Sequence, residues 1–529
     1  MTQFGLLALV LCGTAVLIPV ADRTRLPYPV LVTVFGLVLA LVPTLPGIDV
    51  DPELILPLLL PPLLYIAARR TTWHQFAVNA RPILLLAVAL VFVTAGAVAA
   101  VASAVVPGLP LASAVVLGAL VAPPDPVATS AVGAPLHLPR RMLSLLEGEG
   151  LFNDVTAIVM YHVAIAAVVT GSFHPARAVG EFALAAVIAV VIGYVAGWLS
   201  ARLVSVIGGG DPIPAIILSL VVPAGVYVLA DHLQGSGVLA VLVYSLYLSG
   251  RHDPDDVVGR LTFTTFWGVA EVAITGITFG VIGLELRSVL GTLDQGWRTL
   301  VGPTLLVVGT VVVVRLLWLL PVAVISRGKR RVDVEGPIGV RETLVMWWSG
   351  MRGVTTIVLA LAIPLTAGDG GDFPGRAQIL LIAFAVVMVT LVLQGLTLPF
   401  LVRMLGVGGT RAAEEKAERR LARRAAKAAI RRLDEVVEDE DLPQAAVERL
   451  REKYVNLLAM LNPDMWDEEQ RENAEQWRHR AGQLLALDAQ LLSAARQEII
   501  DARAEPGIDP TVADRMLQRL DLQSMRGRR

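Results

Sequence analysis

The stretch that decides the fold is Ala122-Pro123-Pro124-Asp125-Pro126-Val127-Ala128-Thr129. It lies within an apolar run over residues 110–133, so a carboxylate and three prolines stand where a membrane-crossing helix has its middle. Proline lacks an amide donor and clashes with the carbonyl one turn back, so this clustering predicts a helix broken at mid-membrane. A break frees carbonyl oxygens and leaves half-helix ends beside Asp125. Such hard oxygen ligands suit a small alkali cation.

The surrounding sequence makes this a membrane protein. Of 529 residues, 55% are hydrophobic and 17% charged, with a mean hydropathy of +0.66, more apolar than a water-soluble domain. Thirteen apolar stretches near membrane-spanning length are expected at about 4–21, 27–43, 53–68, 83–106, 110–133, 143–170, 178–201, 213–231, 235–250, 261–286, 299–326, 341–366 and 377–405. The reading is an all-α polytopic protein. Those at 53–68 and 235–250 are short enough to suit a buried or re-entrant segment equally well. The first stretch lacks an early basic residue and a cleavage pattern, so it reads as a span and not a removable signal.

Charge divides the chain. Residues 411–529 hold 22 of the 44 Lys and Arg and 24 of the 46 Asp and Glu. Two domains are therefore expected: a transmembrane part over 1–409, and a tail over 410–529 of amphipathic helices, with Pro443, Pro463 and Pro506 as helix boundaries. The tail reads as a solvated helical appendage, regulatory or dimer-stabilising. Of the basic residues in the short connections, fifteen fall on one side and four on the other. The excess of basic residues marks the cytoplasmic side, which puts the N-terminus outside and the tail in the cytoplasm of a cell-membrane protein.

Several function classes drop out. A net charge of −2 excludes a nucleic-acid binder built on bulk positive charge. The single cysteine, Cys12, excludes an intrachain disulfide and any cysteine-rich metal framework. Seven histidines, none paired at i,i+4 beside a glutamate, give no metalloprotease motif, and no enzyme is expected. His137 and His162 are candidates for tuning pH sensing, although a lone histidine near a helix end is usually unremarkable, and Gly208-Gly209-Gly210 lacks the Lys-Ser/Thr of a phosphate loop. A cation channel remains as an alternative class, although nothing resembles a carbonyl filter or a ring of acids.

Two further clusters carry ionisable groups into the membrane, where each costs at least about 2.5 kcal/mol. In Glu147-Gly148-Glu149-Gly150-Leu151-Phe152-Asn153-Asp154, helical spacing puts Glu149 and Asn153 on one face, with Asp154 on the neighbouring one. A helix starting near Met142 carries Asp154 roughly 18 Å inward, level with Asp125. In Ser349-Gly350-Met351-Arg352-Gly353-Val354, glycines flanking an intramembrane arginine permit close approach or local unwinding. A buried guanidinium demands a carboxylate, and Glu149 is the expected partner of Arg352. Arg315, inside another apolar run, reads as a snorkelling or structural residue, with Glu271 and Glu285 as candidate partners and its partner left open.

The three clusters together resemble the monovalent cation/proton antiporter-1 family, the Na+/H+ exchangers. Its Ala-Thr-Asp-Pro-Val, Glu-Ser-Leu-Leu-Asn-Asp and Gly-Leu-Arg-Gly motifs correspond to Pro123-Pro124-Asp125-Pro126-Val127, Glu149-Gly150-Leu151-Phe152-Asn153-Asp154 and Gly350-Met351-Arg352-Gly353. The likeness extends over residues 5–406 and includes Leu60-Pro61-Pro62-Leu63-Leu64-Tyr65, Phe266-Trp267, Ile282-Gly283-Leu284-Glu285-Leu286 and Leu393-Gln394-Gly395-Leu396-Thr397. It implies inverted repeats, crossed broken helices and a homodimer in which a core domain moves against a dimerisation domain. It also implies that Asp125 and Asp154 bind cation or proton, that Asn153 supports them by hydrogen bonding, and that Glu149 and Arg352 form a structural ion pair. No cofactor is implied; the ligands are H+ and Na+, or K+ or Li+.

Three departures bear on the cation. Pro124 stands where the first motif has its threonine, so only a backbone carbonyl remains as a ligand. Gly150 replaces the serine of the second, and Ile66 replaces a glutamate often found in the third span. Cation identity is left open, with K+/H+ exchange beside Na+/H+ exchange. The expected mechanism is competition between proton and cation for Asp125 and Asp154, since two close carboxylates withdrawn from water cannot both stay ionised uncompensated. An Asn-Asp pair resembles the electroneutral branch of the family.

Overall fold

The computed structural model describes residues 3–24, 26–42, 52–70, 80–125, 136, 138–171, 175–207, 212–249, 257–291, 297–326, 339–367, 370–407 and 411–439, with scattered positions between 444 and 516. Residues 126–135, His137, Gly208-Gly209-Gly210 and the three tail prolines lie outside the described residues, as does the side chain of Glu285. The chain separates into two compact units, Met1–Gly409 and Thr410–Arg529.

Helix occupies part of every apolar stretch predicted from the sequence. In order these are α1 (Gln3–Thr24), α2 (Tyr28–Ala40), α3 (Pro52–Arg70), α4 (Ala80–Val105), α5 (Leu111–Val121), α6 (Arg140–Thr170) and α7 (Pro175–Ile207). Next come α8 (Ile213–His232), α9 (Gly237–Ser249), α10 (Val257–Gly291), α11 (Trp297–Ser326), α12 (Val340–Trp348), α13 (Val354–Leu361) and α14 (Arg376–Leu405). Among the described residues, eight helices are long and apolar enough to cross a membrane, and no strand is present. The second unit contributes α15 (Arg411–Asp439), where Arg432 and Glu435 pair across one turn of an exposed face at 2.9 Å.

The two short segments are helical: α3 runs through Pro57, Pro61 and Pro62 without a break, and α9 has 13 residues. Proline near a helix start costs little, and neighbouring helices protect freed carbonyls deeper in. Tyr65 of α3 packs its ring against Trp267 of α10 and Tyr244 of α9, with centroids 5.0 Å and 6.0 Å apart. By contrast, α5 stops at Val121, and Ala122 to Asp125 continue without helical structure. A second interruption separates α12 from α13 over Ser349 to Gly353.

Small residues let these helices approach. On α2, a Cβ at Gly36 would strike the Gly280 carbonyl of α10, and one at Gly283 would strike the Thr33 carbonyl in return. Gly118 of α5 likewise faces the Ala95 carbonyl of α4, and Gly193 of α7 faces the Ala240 carbonyl of α9. In a bilayer, where lipid is as apolar as leucine, such backbone approach supplies the packing that holds helices together. The 31 residues of α6 run to Gly171, whose positive φ of 67° ends the helix in the left-handed conformation that glycine adopts without strain.

Gly36→Val is expected to destabilise the membrane unit by about 2 kcal/mol or more, because backbone atoms cannot yield as a flexible side chain can. Gly96→Val, with nothing within 4 Å of its added Cβ, is the control. Thermal unfolding of the purified protein in detergent checks the pair.

Candidate functional site

The two interruptions cross, and each satisfies the other. A helix ended inside a membrane leaves its last carbonyls and first amides without partners. At the end of α5, the Leu120 carbonyl accepts from Thr356 Oγ1 at 2.9 Å. The Val121 carbonyl accepts from Arg352 Nε at 2.9 Å, and the Ala122 carbonyl from Arg352 Nη2 at 3.1 Å. Arg352 Nη1 donates to the Gly350 carbonyl of its own segment. A guanidinium at a helix C-terminus also meets the negative end of that helix's dipole.

Asp125 plays the opposite part for α13. Its amide donates to the Met351 carbonyl at 2.7 Å, and its Oδ2 accepts from the Val354 amide, first residue of α13, at 2.9 Å. A carboxylate there suits the positive end of the dipole. Gly353 is required by this approach: a Cβ at that position would overlap the Asp125 carboxylate.

Asp154 comes from α6, with fourteen helical residues before it and sixteen after, hence at mid-helix. Its Oδ2 accepts from Thr355 Oγ1 at 3.0 Å, so Asp125 and Asp154 bond to successive residues of α13. Asn153 Nδ2 donates to the Pro124 carbonyl at 2.8 Å. All three side chains are at most 4% exposed. Asn153 Oδ1 and Asp154 Oδ1 nonetheless lack a hydrogen-bond partner, an arrangement that costs free energy unless another group completes it.

The expected pairing of Glu149 with Arg352 is corrected. Glu149, fully buried, takes a two-pronged ion pair from Arg315 of α11, with Nη1 to Oε1 at 2.5 Å and Nη2 to Oε2 at 2.9 Å. Arg315 also donates to the Met346 carbonyl of α12 at 3.3 Å. Arg315 therefore has Glu149 as its ion-pair partner. The physical reason is geometric: Arg352 sits in the unwound segment beside the carbonyls at the end of α5, and its fork is committed to them.

Sequence reading thus named Asp125, Pro124, Asn153 and Asp154, and the structure brings all four together. It missed Thr355, Thr356 and Thr390, whose Oγ1 accepts from the Arg352 amide at 3.0 Å. For Thr355 and Thr356 the signal depends on knowing that α13 starts at Val354. Threonine in a helix ordinarily donates to the carbonyl four residues back, as Thr33 and Thr278 do, but Met351 and Arg352, four before Thr355 and Thr356, precede the helix start.

Broken helices crossing beside buried carboxylates are an arrangement on which secondary transporters build their ion sites. Residues 7–404 match the family model described as the sodium/hydrogen exchanger, transmembrane. The chain belongs to that family, a family of membrane-embedded transporters. It is 31% identical to an uncharacterized Na+/H+ exchanger of Mycobacterium tuberculosis, over 99% of this chain and 96% of that protein. It is also 31% identical to a sodium, potassium, lithium and rubidium/H+ antiporter of Bacillus pumilus, over 71% of this chain and 58% of that one. Two structures of the sodium proton antiporter MjNhaP1 of Methanocaldococcus jannaschii share the fold, with TM-scores of 0.55 and 0.61 at 18% and 19% identity. They cover 77% and 76% of this chain, and 99% and 97% of theirs.

Removing one member of the buried ion pair, by Glu149→Gln or Arg315→Met, is expected to cost about 3–5 kcal/mol through the charge left behind. The double variant Glu149→Leu/Arg315→Met is expected to recover most of it. A double-mutant cycle on thermal stability reads the coupling.

Proposed function

We propose that the protein exchanges one monovalent alkali cation, Na+ foremost, for one proton across the membrane, with Asp154 as the carboxylate that holds either. The observation that carries this reading is the buried, half-satisfied Asp154 beside Asp125. Glu149 is balanced by Arg315, whereas Asp154, among the described residues, has the Thr355 hydroxyl as its hydrogen-bond partner and no ion pair. A carboxylate so placed needs a proton or a metal ion. When a cation enters, the O–H bond of the acid breaks and the proton leaves by the side from which the cation came. Charge in the site is then unchanged, which makes exchange electroneutral.

Asn153 Oδ1, Asp154 Oδ1 and the Asp125 carboxylate are the oxygens this reading gives to the cation. The Pro124 carbonyl, which already accepts from Asn153, either adds its second lone pair or fixes the amide so that Oδ1 points inward. Potassium exchange is the second reading, favoured by the range of cations in the name of the Bacillus relative. The arginine asymmetry of the loops supports an outside N-terminus and a cytoplasmic tail, and the family resemblance supports a homodimer. The tail lies apart in sequence from every group named in the site, so its role is regulatory or dimer-stabilising.

In proteoliposomes with an internal pH dye, Na+ is expected to drive proton efflux, and Asp154→Asn or Asp125→Asn to abolish it with the fold retained. Normal exchange by the Asp154 variant would remove the assignment. A chain ending at Gly409 is expected to keep the exchange, and its loss in a folded truncation would place part of the machinery in the tail.

A further inference from the structure

We infer that Thr355 is a cation ligand that sets which alkali ion this site prefers, an inference that rests on the exchange reading above. It supplies, from α13, a hydroxyl of the kind absent at Pro124 and Gly150.

Three observations lead there. First, Thr355 Oγ1 spends its proton on Asp154 Oδ2, at 3.0 Å, which leaves its oxygen lone pairs for another group. Second, the adjacent Thr356 hydroxyl is committed to the Leu120 carbonyl, so the two threonines differ in role: one binds main chain, the other binds the exchanging carboxylate. Third, the neighbouring Asn153 Oδ1 and Asp154 Oδ1 are buried acceptors without hydrogen-bond partners. Acceptors grouped in this way, with a carboxylate among them, suit a hard cation rather than a neutral molecule.

The hydroxyl affects selectivity because of dehydration. Li+ and Na+ hold their water more tightly than K+ and need closer oxygen ligands to replace it. Removing one neutral oxygen therefore weakens the small ions most. A hydroxyl donating to the carboxylate also keeps the Asp154 rotamer fixed, so the ligands are placed before the ion arrives.

The test uses the full chain in proteoliposomes, with NaCl, LiCl and KCl assayed separately. Thr355→Val keeps the shape and removes the oxygen; it is expected to raise the apparent KM for Na+ and Li+ about tenfold, a change of the size a hydrogen bond to a charged group supports, while KM for K+ moves much less. Thr355→Ser restores the hydroxyl and is expected to restore Na+ and Li+. A merely structural role would lower turnover for every ion alike and leave the ratio of KM values unchanged, which overturns the inference. So does a folded Thr355→Ser protein with the selectivity of Thr355→Val, and that arm stands even where the valine variant fails to fold. Failure of the exchange reading is separate: it appears as normal transport by Asp154→Asn, whatever Thr355 does.

Discussion

A helix interrupted inside a bilayer strands backbone groups that water cannot reach, and this constraint organises the protein. The two interruptions are placed so that each supplies what the other lacks. Three carbonyls at the end of α5 receive donors from Arg352 and Thr356, while the Asp125 carboxylate receives the first amide of α13. The positive side chain sits at the negative end of one half-helix, and the negative side chain at the positive end of the other. The site is thus part of what makes the crossing stable.

The ionisable groups divide along the same lines. Glu149 and Arg315 meet in a paired, hydrogen-bonded geometry, the condition under which buried charges are tolerated. They join α6 to α11, and through the Met346 carbonyl to α12, close to the unwound segment. Glycine at 350 leaves room for this: a Cβ there would strike the Arg315 side chain. One arginine secures the helices around the crossing and the other secures the crossing.

The fold was legible because each determinant is local. Prolines around Asp125 announce a break, glycines around Arg352 permit one, and apolar runs separated by basic loops mark the membrane path. Asp125, Asn153 and Asp154 were legible because charge and amide in such runs are conspicuous. The partner of Glu149 was not, since Arg315 and Arg352 are both buried arginines on later helices. Choosing between them depends on helix rotation and on which carbonyls stand unpaired, neither of which is written in either residue's neighbourhood. Thr355 was hidden for another reason. A hydroxyl in an apolar run ordinarily bonds its own helix, and it becomes informative only once the helix is known to start at Val354.

The network also restricts how access to the site can change. Separating α13 from α5 would strand the Leu120, Val121 and Ala122 carbonyls and the Val354 amide together, each at a cost of several kcal/mol in a medium without water. Pulling α6 away would expose Asn153 and Asp154 in the same manner. A motion that alternated the accessible side would keep these bonds only if α5, α6 and α13 moved as one body. An exchange cycle built on such a motion would leave the hydrogen bonds of the crossing intact throughout.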